Sequence, residues 1–163
     1  MTEHDPACAF HSHDHTICTQ DVLASADRLC GARGARLTPV RRRVLEILLE
    51  EHRAMGAYDV LERLAAEGFG SQPPVAYRAL EFLVDQGFAH RIRRLNAFAA
   101  CTAPEKDHAP VFFICKSCNS VAETAGQSVC EELEAVADKL GFAVERSNIE
   151  ALGLCPTCAT EGA

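Results

Sequence analysis

Two Cys-x2-Cys pairs, Cys115/Cys118 and Cys155/Cys158, stand 36 residues apart in a chain of 163. Each pair sets two thiols on one tight turn, and two such turns complete a tetrahedral zinc site with Zn–S arms of about 2.3 Å. Closing that site requires the chain near 115 and near 155 to meet, so everything between folds back as one stapled unit. Four thiolates leave no open position for a substrate, which makes the site structural. Disulfides are the competing use of paired cysteines, but nine cysteines cannot all pair within one chain. The N-terminus has neither a basic n-region nor an apolar h-region, and no apolar run nears the ~18 residues of a membrane span. The chain therefore reads as cytoplasmic, where paired cysteines more often hold metal or do redox chemistry.

The stapled unit has its own pattern. Val111–Ile114, Val121–Thr124 and a stretch within Phe142–Leu152 read as strands. Ser128–Leu140 reads as a helix with Val129, Leu133, Val136 and Leu140 on one face, Ser128 and Glu131 as a capping box, and Gly141 as its stop. An α/β unit of about 60 residues buries too little for a generous core, so metal or oligomerisation is expected to support it.

The net charge of −7 argues against nucleic acid only until it is divided. Residues 22–95 carry 12 arginines and 9 acids, whereas residues 101–163 carry 4 basic and 10 acidic residues. Arginine suits phosphates and base edges, and a basic middle in an acidic chain fits a modular DNA binder. The same middle predicts helices over Asp21–Arg33, from Thr38-Pro39 with Val40, Val44, Ile47 and Leu48 inward, over Ala57–Glu67, and from Ser71 to about Gln86. On the last, Ala76, Ala79, Leu80 and Leu83 share one face, Arg78 points away and Tyr77 flanks it. Gly87 stops it, and Phe88–Ala100 reads as two short strands. This order is that of a winged helix-turn-helix, with the fourth helix in the major groove. Arg91, Arg93 and Arg94 fall in the wing, and Arg41 lies outside the apolar stripe of its helix, so Arg41, Arg91 and Arg93 are candidate DNA contacts. The bland alternative is a helical core with a solvated charged face.

A second, looser set of ligand types spans the junction: His90, Cys101, His108 and Glu123. Imidazole, thiolate and carboxylate together suit Zn(II), although each residue taken singly has an incidental reading. No histidine follows His108, so a sensor built from several C-terminal histidines is excluded. Cys8, His11, His13, His15 and Cys18 form a third cluster within a tail of residues 1–20, which reads either as an extra metal site or as a scavenging segment without fixed geometry. Cys30 and Cys130 fall in helices and read as small core residues. A zinc deaminase needs His-x-Glu with Pro-Cys-x2-Cys; no His-x-Glu occurs and Pro156 follows rather than precedes Cys155, so an enzyme is not expected.

Arg36-Leu-Thr-Pro39, Ala57-Tyr-Asp59, Pro74-Val-Ala-Tyr-Arg-Ala-Leu80, Gly87-Phe-Ala-His90, Cys115-Lys-Ser-Cys118, Ile149-Glu-Ala-x-Gly-Leu-Cys155 and Cys158 together resemble the ferric uptake regulator superfamily, in its zinc uptake regulator branch. The resemblance runs from about residue 21 to 158. It implies an α+β fold: a tail at 1–20, a winged-helix DNA-binding domain at 21–95, a hinge at 96–108, and an α/β dimerisation and zinc-binding domain at 109–163. It implies a zinc-responsive repressor of zinc uptake and homeostasis genes, with about two zincs per subunit. Cys115, Cys118, Cys155 and Cys158 match the structural site; His90, Cys101, His108 and Glu123 match the sensory one; Tyr77 and Arg78 match the pair used on DNA. The implied partners are a palindromic duplex operator and a second copy of the chain, with no membrane and no small-molecule substrate. An iron-responsive or a peroxide- or thiol-responsive regulator of the same superfamily is the alternative. The chain departs from the usual Thr-Val-Tyr-Arg at Val75-Ala76-Tyr77-Arg78, and from the iron branch's histidine run, since Ala109-Pro110 follows His108.

Overall fold

The computed structural model describes residue 10 and residues 15–50, 53–105, 109–145 and 147–161. Helix α1 spans His15–Ala32, α2 Pro39–Glu50, α3 Ala57–Ala66 and α4 Pro73–Asp85. Strands β1 (Ala89–Ile92) and β2 (Ala97–Ala100) form an antiparallel hairpin, so the wing extends into the stretch expected as a hinge. The distal unit follows as β3 (Pro110–Cys115), β4 (Val121–Ala125), α5 (Gln127–Lys139), β5 (Ile149–Gly153) and a short α6 (Pro156–Glu161).

The helical half follows its apolar periodicity. Val44, Ile47 and Leu48 of α2 and Ala76, Ala79, Leu80 and Leu83 of α4 are buried in one cluster with Val60, Leu61 and Leu64 of α3. Gly87 ends α4 with φ +76, a left-handed conformation in which only glycine is unstrained, and the Phe88 N–H closes on the Leu83 carbonyl at 2.8 Å. Helix α1 begins six residues before the expected Asp21. No Gly or Pro interrupts residues 15–30, and the polar start simply carries no apolar period to read.

The distal sheet has the order β4-β3-β5, antiparallel between β3 and β4 and parallel between β3 and β5. Phe112, at the centre of β3, pairs with Glu123 on one side and Glu150 on the other. The capping box expected from Ser128 does not form. Gly126 is the N-cap of α5, and Glu131 is held instead by Gln127, 3.1 Å away. The third strand occupies only the end of its expected stretch, and the six residues of α6 were not foreseen. The apolar stripe on α5 faces outward: Val129, Leu133, Val136 and Leu140 are between 41% and 77% exposed, while Cys130 and Ala137 turn inward.

The halves meet through a small apolar cluster of Ile92, Phe112, Ile114 and Val121, joined by Ala54, Leu95 and Ala99. The backbone supports the contact, with a bridge pairing Arg53 to Ser120 and another pairing Met55 to Phe98. No described helix is long and apolar enough to cross a membrane.

Gly126 sits where the chain turns under β3. A Cβ there would lie 2.2 Å from Val111 Cγ2 and 3.1 Å from the Ala109 carbonyl oxygen. Val111 is β-branched and stiff, so it cannot swing aside. Gly126→Ala is expected to destabilise the fold by about 1–3 kcal/mol in urea unfolding.

Candidate metal centres and nucleic-acid face

The four thiols of the paired cysteines lie within 4.8 Å of one another. Cys115 ends β3 and Cys155 follows β5, two strands already paired, while Cys118 and Cys158 close from the next turn. The turn after Cys115 tightens through the Asn119 N–H bonding back to the Cys115 carbonyl at 2.9 Å, with Asn119 at φ 59. Cys118 and Cys155 sulfurs are 3.8 Å apart, close to the edge of a tetrahedron with 2.3 Å arms, about 3.75 Å. Burial opposes ionisation of Cys115, but backbone N–H groups of Cys118, Cys155 and Ser117 outweigh it and bring the thiol down to about 6. Burial likewise opposes ionisation of Cys118, and Ser120 outweighs it and lowers that thiol too. Ser117 favours the thiolate at Cys158, yet Cys155, burial and the other two sulfurs drive it up to about 12. Thiols that repel each other's ionisation in this way fit a dication, which replaces their shared protons.

His90 on β1, Cys101 just past β2 and Glu123 on β4 form a second cluster, their ligand atoms also within 4.8 Å of one another. Cys101 is fully buried, placed by its N–H bonding to the Phe88 carbonyl at 2.9 Å. Glu123 Oε1 is 2.9 Å from His90 Nε2 and accepts from the Cys101 thiol at 3.7 Å. Burial disfavours the imidazolium of His90, but Cys101 and Glu123 stabilise it and raise its pKa to about 9. A cation can take the place of that proton among the same three donors. His108, expected as the fourth, lies outside the described residues. So do Cys8, His11 and His13, and the side chains of His15 and Cys18 are not among those described.

Thr102 was not singled out from the sequence. Its N–H and hydroxyl both donate to Glu123 Oε2, at 2.9 and 3.2 Å, which leaves Oε1 facing His90. A threonine following a cysteine carries no spacing signal, so only the fold brings it to Glu123.

Arg78 and Tyr77 project from the exposed side of α4. Tyr77 meets Tyr58, from the first turn of α3, edge to face at 6.4 Å between ring centres; Tyr58 is 67% exposed. Tyr58 stood in the sequence only as part of the Ala57-Tyr-Asp59 motif, with no DNA role; the packing of α3 beside α4 is what sets it next to Tyr77. The α2 arginines are engaged within the chain. Arg41 lies 3.6 Å over the Phe82 ring and donates to the Arg36 carbonyl, Arg42 pairs with Asp27, and Arg43 pairs with Glu46, Glu50 and Glu67. In the wing, Arg91 donates to Asn96 at 3.0 Å, and Arg93 and Arg94 are exposed.

A family model for the ferric uptake regulator family matches residues 32–152. The chain is 38% identical over 141 residues to the zinc uptake regulation protein of Escherichia coli (strain K12), covering 86% of this chain and 82% of that one. It is similar to the solved structure of a zinc uptake regulator complexed with zinc and DNA, at 37% identity and a TM-score of 0.83, over 89% of this chain and 98% of that one. Holo XcZur matches with a TM-score of 0.77 at 37% identity, over 86% and 98% of the two chains. Apo XcZur, at 36% identity over 88% and 99%, reaches a TM-score of 0.51. Sequence identity and coverage barely change between those two, so the difference in fit is one of shape, and this chain is more similar to the holo structure.

Thr102→Val removes one of two donors that aim Glu123. Zinc affinity of the second centre is expected to fall about tenfold, the scale of an outer-shell partner. Competition titration against a chelating dye checks this, with metal binding at the four-thiol cluster expected to stay unchanged.

Proposed function

The chain belongs to the ferric uptake regulator family, and from that premise we propose that it is a zinc-responsive DNA-binding repressor of zinc uptake and homeostasis genes, acting in the cytoplasm. The observation that carries this is the second cluster, where two residues of the wing converge with one of the distal sheet. A sensor must join parts that otherwise move apart, and His90, Cys101 and Glu123 lie across that junction. His108 is the fourth ligand in this reading. A zinc bound there supplies a soft, tetrahedral clamp.

The residues divide the work. Cys115, Cys118, Cys155 and Cys158 hold a structural zinc that keeps the distal sheet closed, so the subunit carries about two zincs. Glu123 and His90 hold the wing base against that sheet. Tyr77 and Arg78 read bases from α4, with Tyr58 beside them, while Arg91 and Arg93 contact phosphates. Arg41, braced on Phe82, keeps further N–H groups for a phosphate of its own. The exposed stripe of Val129, Leu133, Val136 and Leu140 fits a second copy of the chain, and two reading heads related by a two-fold axis match a palindromic operator. Residues 1–20 carry the tail cluster, which adds scavenging capacity or a further site. The winged-helix unit, expected at residues 21–95, takes in the whole β1–β2 hairpin to Ala100, and the rest of the expected hinge at 96–108 leads to the dimerisation unit at 109–163. Zinc and DNA each tighten the binding of the other, by the reciprocity of linkage.

Two cysteine variants separate the centres. Cys101→Ser is expected to stay dimeric, keep about one zinc per subunit and lose the zinc-dependent gain in operator affinity, a coupling of about 1–3 kcal/mol. Cys118→Ser is expected to lose the fold or the dimer, because structural metal binding is coupled to folding. The test is zinc-titrated binding to the chain's own upstream DNA, with metal counted at each point. A Cys101→Ser protein that gains affinity as wild type does would remove this centre from sensing.

Arg78→Ala is expected to cost about 1–3 kcal/mol of operator affinity, the worth of a good base contact, with zinc content unchanged. Filter binding at fixed salt and saturating zinc measures it.

A further inference from the structure

One row of side chains crosses the distal sheet where it meets the wing. Phe112 on β3 pairs with Glu123 on β4 and with Glu150 on β5. Directly paired residues on neighbouring strands present their side chains to the same face. Two strand spacings make the row about 10 Å long, and His90 to Arg93 along an extended strand is also about 10 Å. The row and the hairpin therefore lie in step. Glu123 meets the wing base at His90, 2.9 Å away. Phe112 packs on the His90 ring, with ring centres 5.2 Å apart, and joins Ile92 and Leu95 in the junction cluster.

Glu150 meets the wing tip. Its Oε1 accepts from the backbone N–H of Arg93 at 2.7 Å, and its Oε2 from that of Arg94 at 3.0 Å. These consecutive N–H groups open the four-residue turn of the hairpin, which closes with the Asn96 N–H on the Arg93 carbonyl and Asn96 at φ 46. Two successive N–H groups in a turn form a concavity suited to an anion. Asn148 donates to Oε1 at 2.8 Å and orients the carboxylate. Burial works against the charged form of Glu150, and these hydrogen bonds outweigh it, holding its pKa below the usual carboxylate value.

We propose that Glu150 is a positioning residue for DNA binding: its carboxylate latches the wing tip to the distal sheet, so that closure at the wing base by His90, Cys101 and Glu123 sets the direction in which Arg93 and Arg94 are presented to DNA. The base contact and the apolar packing of Ile92 and Leu95 hold the body of the hairpin; the carboxylate, about 10 Å from the base, fixes the turn that carries Arg93 and Arg94. The proposal rests on the zinc-sensing reading for its effect on DNA, whereas the latch itself does not depend on it.

The experiment uses the zinc-loaded, full-length protein as wild type, Glu150→Ala and Glu150→Gln, with a duplex selected by the wild type as operator. In Glu150→Ala the amides of Arg93 and Arg94 are expected to exchange with solvent about tenfold faster, while the Cys101 amide, bonded to Phe88, keeps its protection. Glu150→Gln, which retains one acceptor oxygen, falls between. Zinc content, hinge zinc affinity and dimer mass stay at wild-type values. Of the zinc-dependent gain in operator affinity, about 5- to 150-fold for couplings of this kind, most is lost in Glu150→Ala. The slope of log affinity against log salt shrinks by about 0.9 for each phosphate contact that goes with it. Unchanged Arg93 and Arg94 exchange in both variants overturns the latch. So does a loss of hinge zinc in Glu150→Gln, which makes Glu150 a support of the metal centre. A wild type without any zinc-dependent gain overturns the sensing reading instead, and the exchange rates still decide the latch.

Discussion

Four thiols held at the ends of two paired strands set the register of the distal sheet, and every contact with the wing depends on that register. Cys115 and Cys155 bring the ends of β3 and β5 together, and the Lys116 N–H bonds to the Gly153 carbonyl at 2.9 Å beside them. A slip of β3 by one residue would turn Phe112 to the opposite face, away from Glu123 and Glu150. The junction cluster, built on Phe112 and Ile114, would come apart, and the row that meets the wing would be broken at its centre. A unit this small has little core with which to resist such a slip, and the four thiols converge where a staple would oppose it.

The two centres differ in what they join. The four-thiol set joins elements of one sheet to each other, so a metal there would act on folding. The second set draws on both halves of the chain and closes over a junction whose apolar cluster has only four buried residues. An interface that small is poorly held without added contacts, and it is there that a ligand can shift the arrangement of the halves.

The charged side chains show a parallel division. On α2, Arg42 and Arg43 are spent inside the helical half, where Arg43 joins three carboxylates and braces α2 against α3. The arginines of the wing remain exposed, and their backbone rather than their side chains supplies the anchor to Glu150. Holding a loop by its N–H groups leaves its guanidinium groups free for phosphate.

Much of this was legible in the residues alone. The apolar spacing of α2 and α4, Pro39 at a helix start, Gly87 at a helix stop and the paired cysteines are local signals, each tied to a backbone requirement that neighbours in sequence satisfy. The ligand types at 90, 101 and 123 were legible as a set, but their convergence was not, since it depends on which strand lies beside which. Tertiary structure decided three things that local pattern could not. The apolar stripe of α5 faces outward, because periodicity shows that a face is apolar without showing what covers it. Thr102 and Glu150 acquired roles through partners 21 and 57 residues away. On α2, Arg42 found Asp27 of α1, Arg43 found Glu67 just past α3 and Arg41 found the Phe82 ring of α4, and no reading of one helix contains its neighbours.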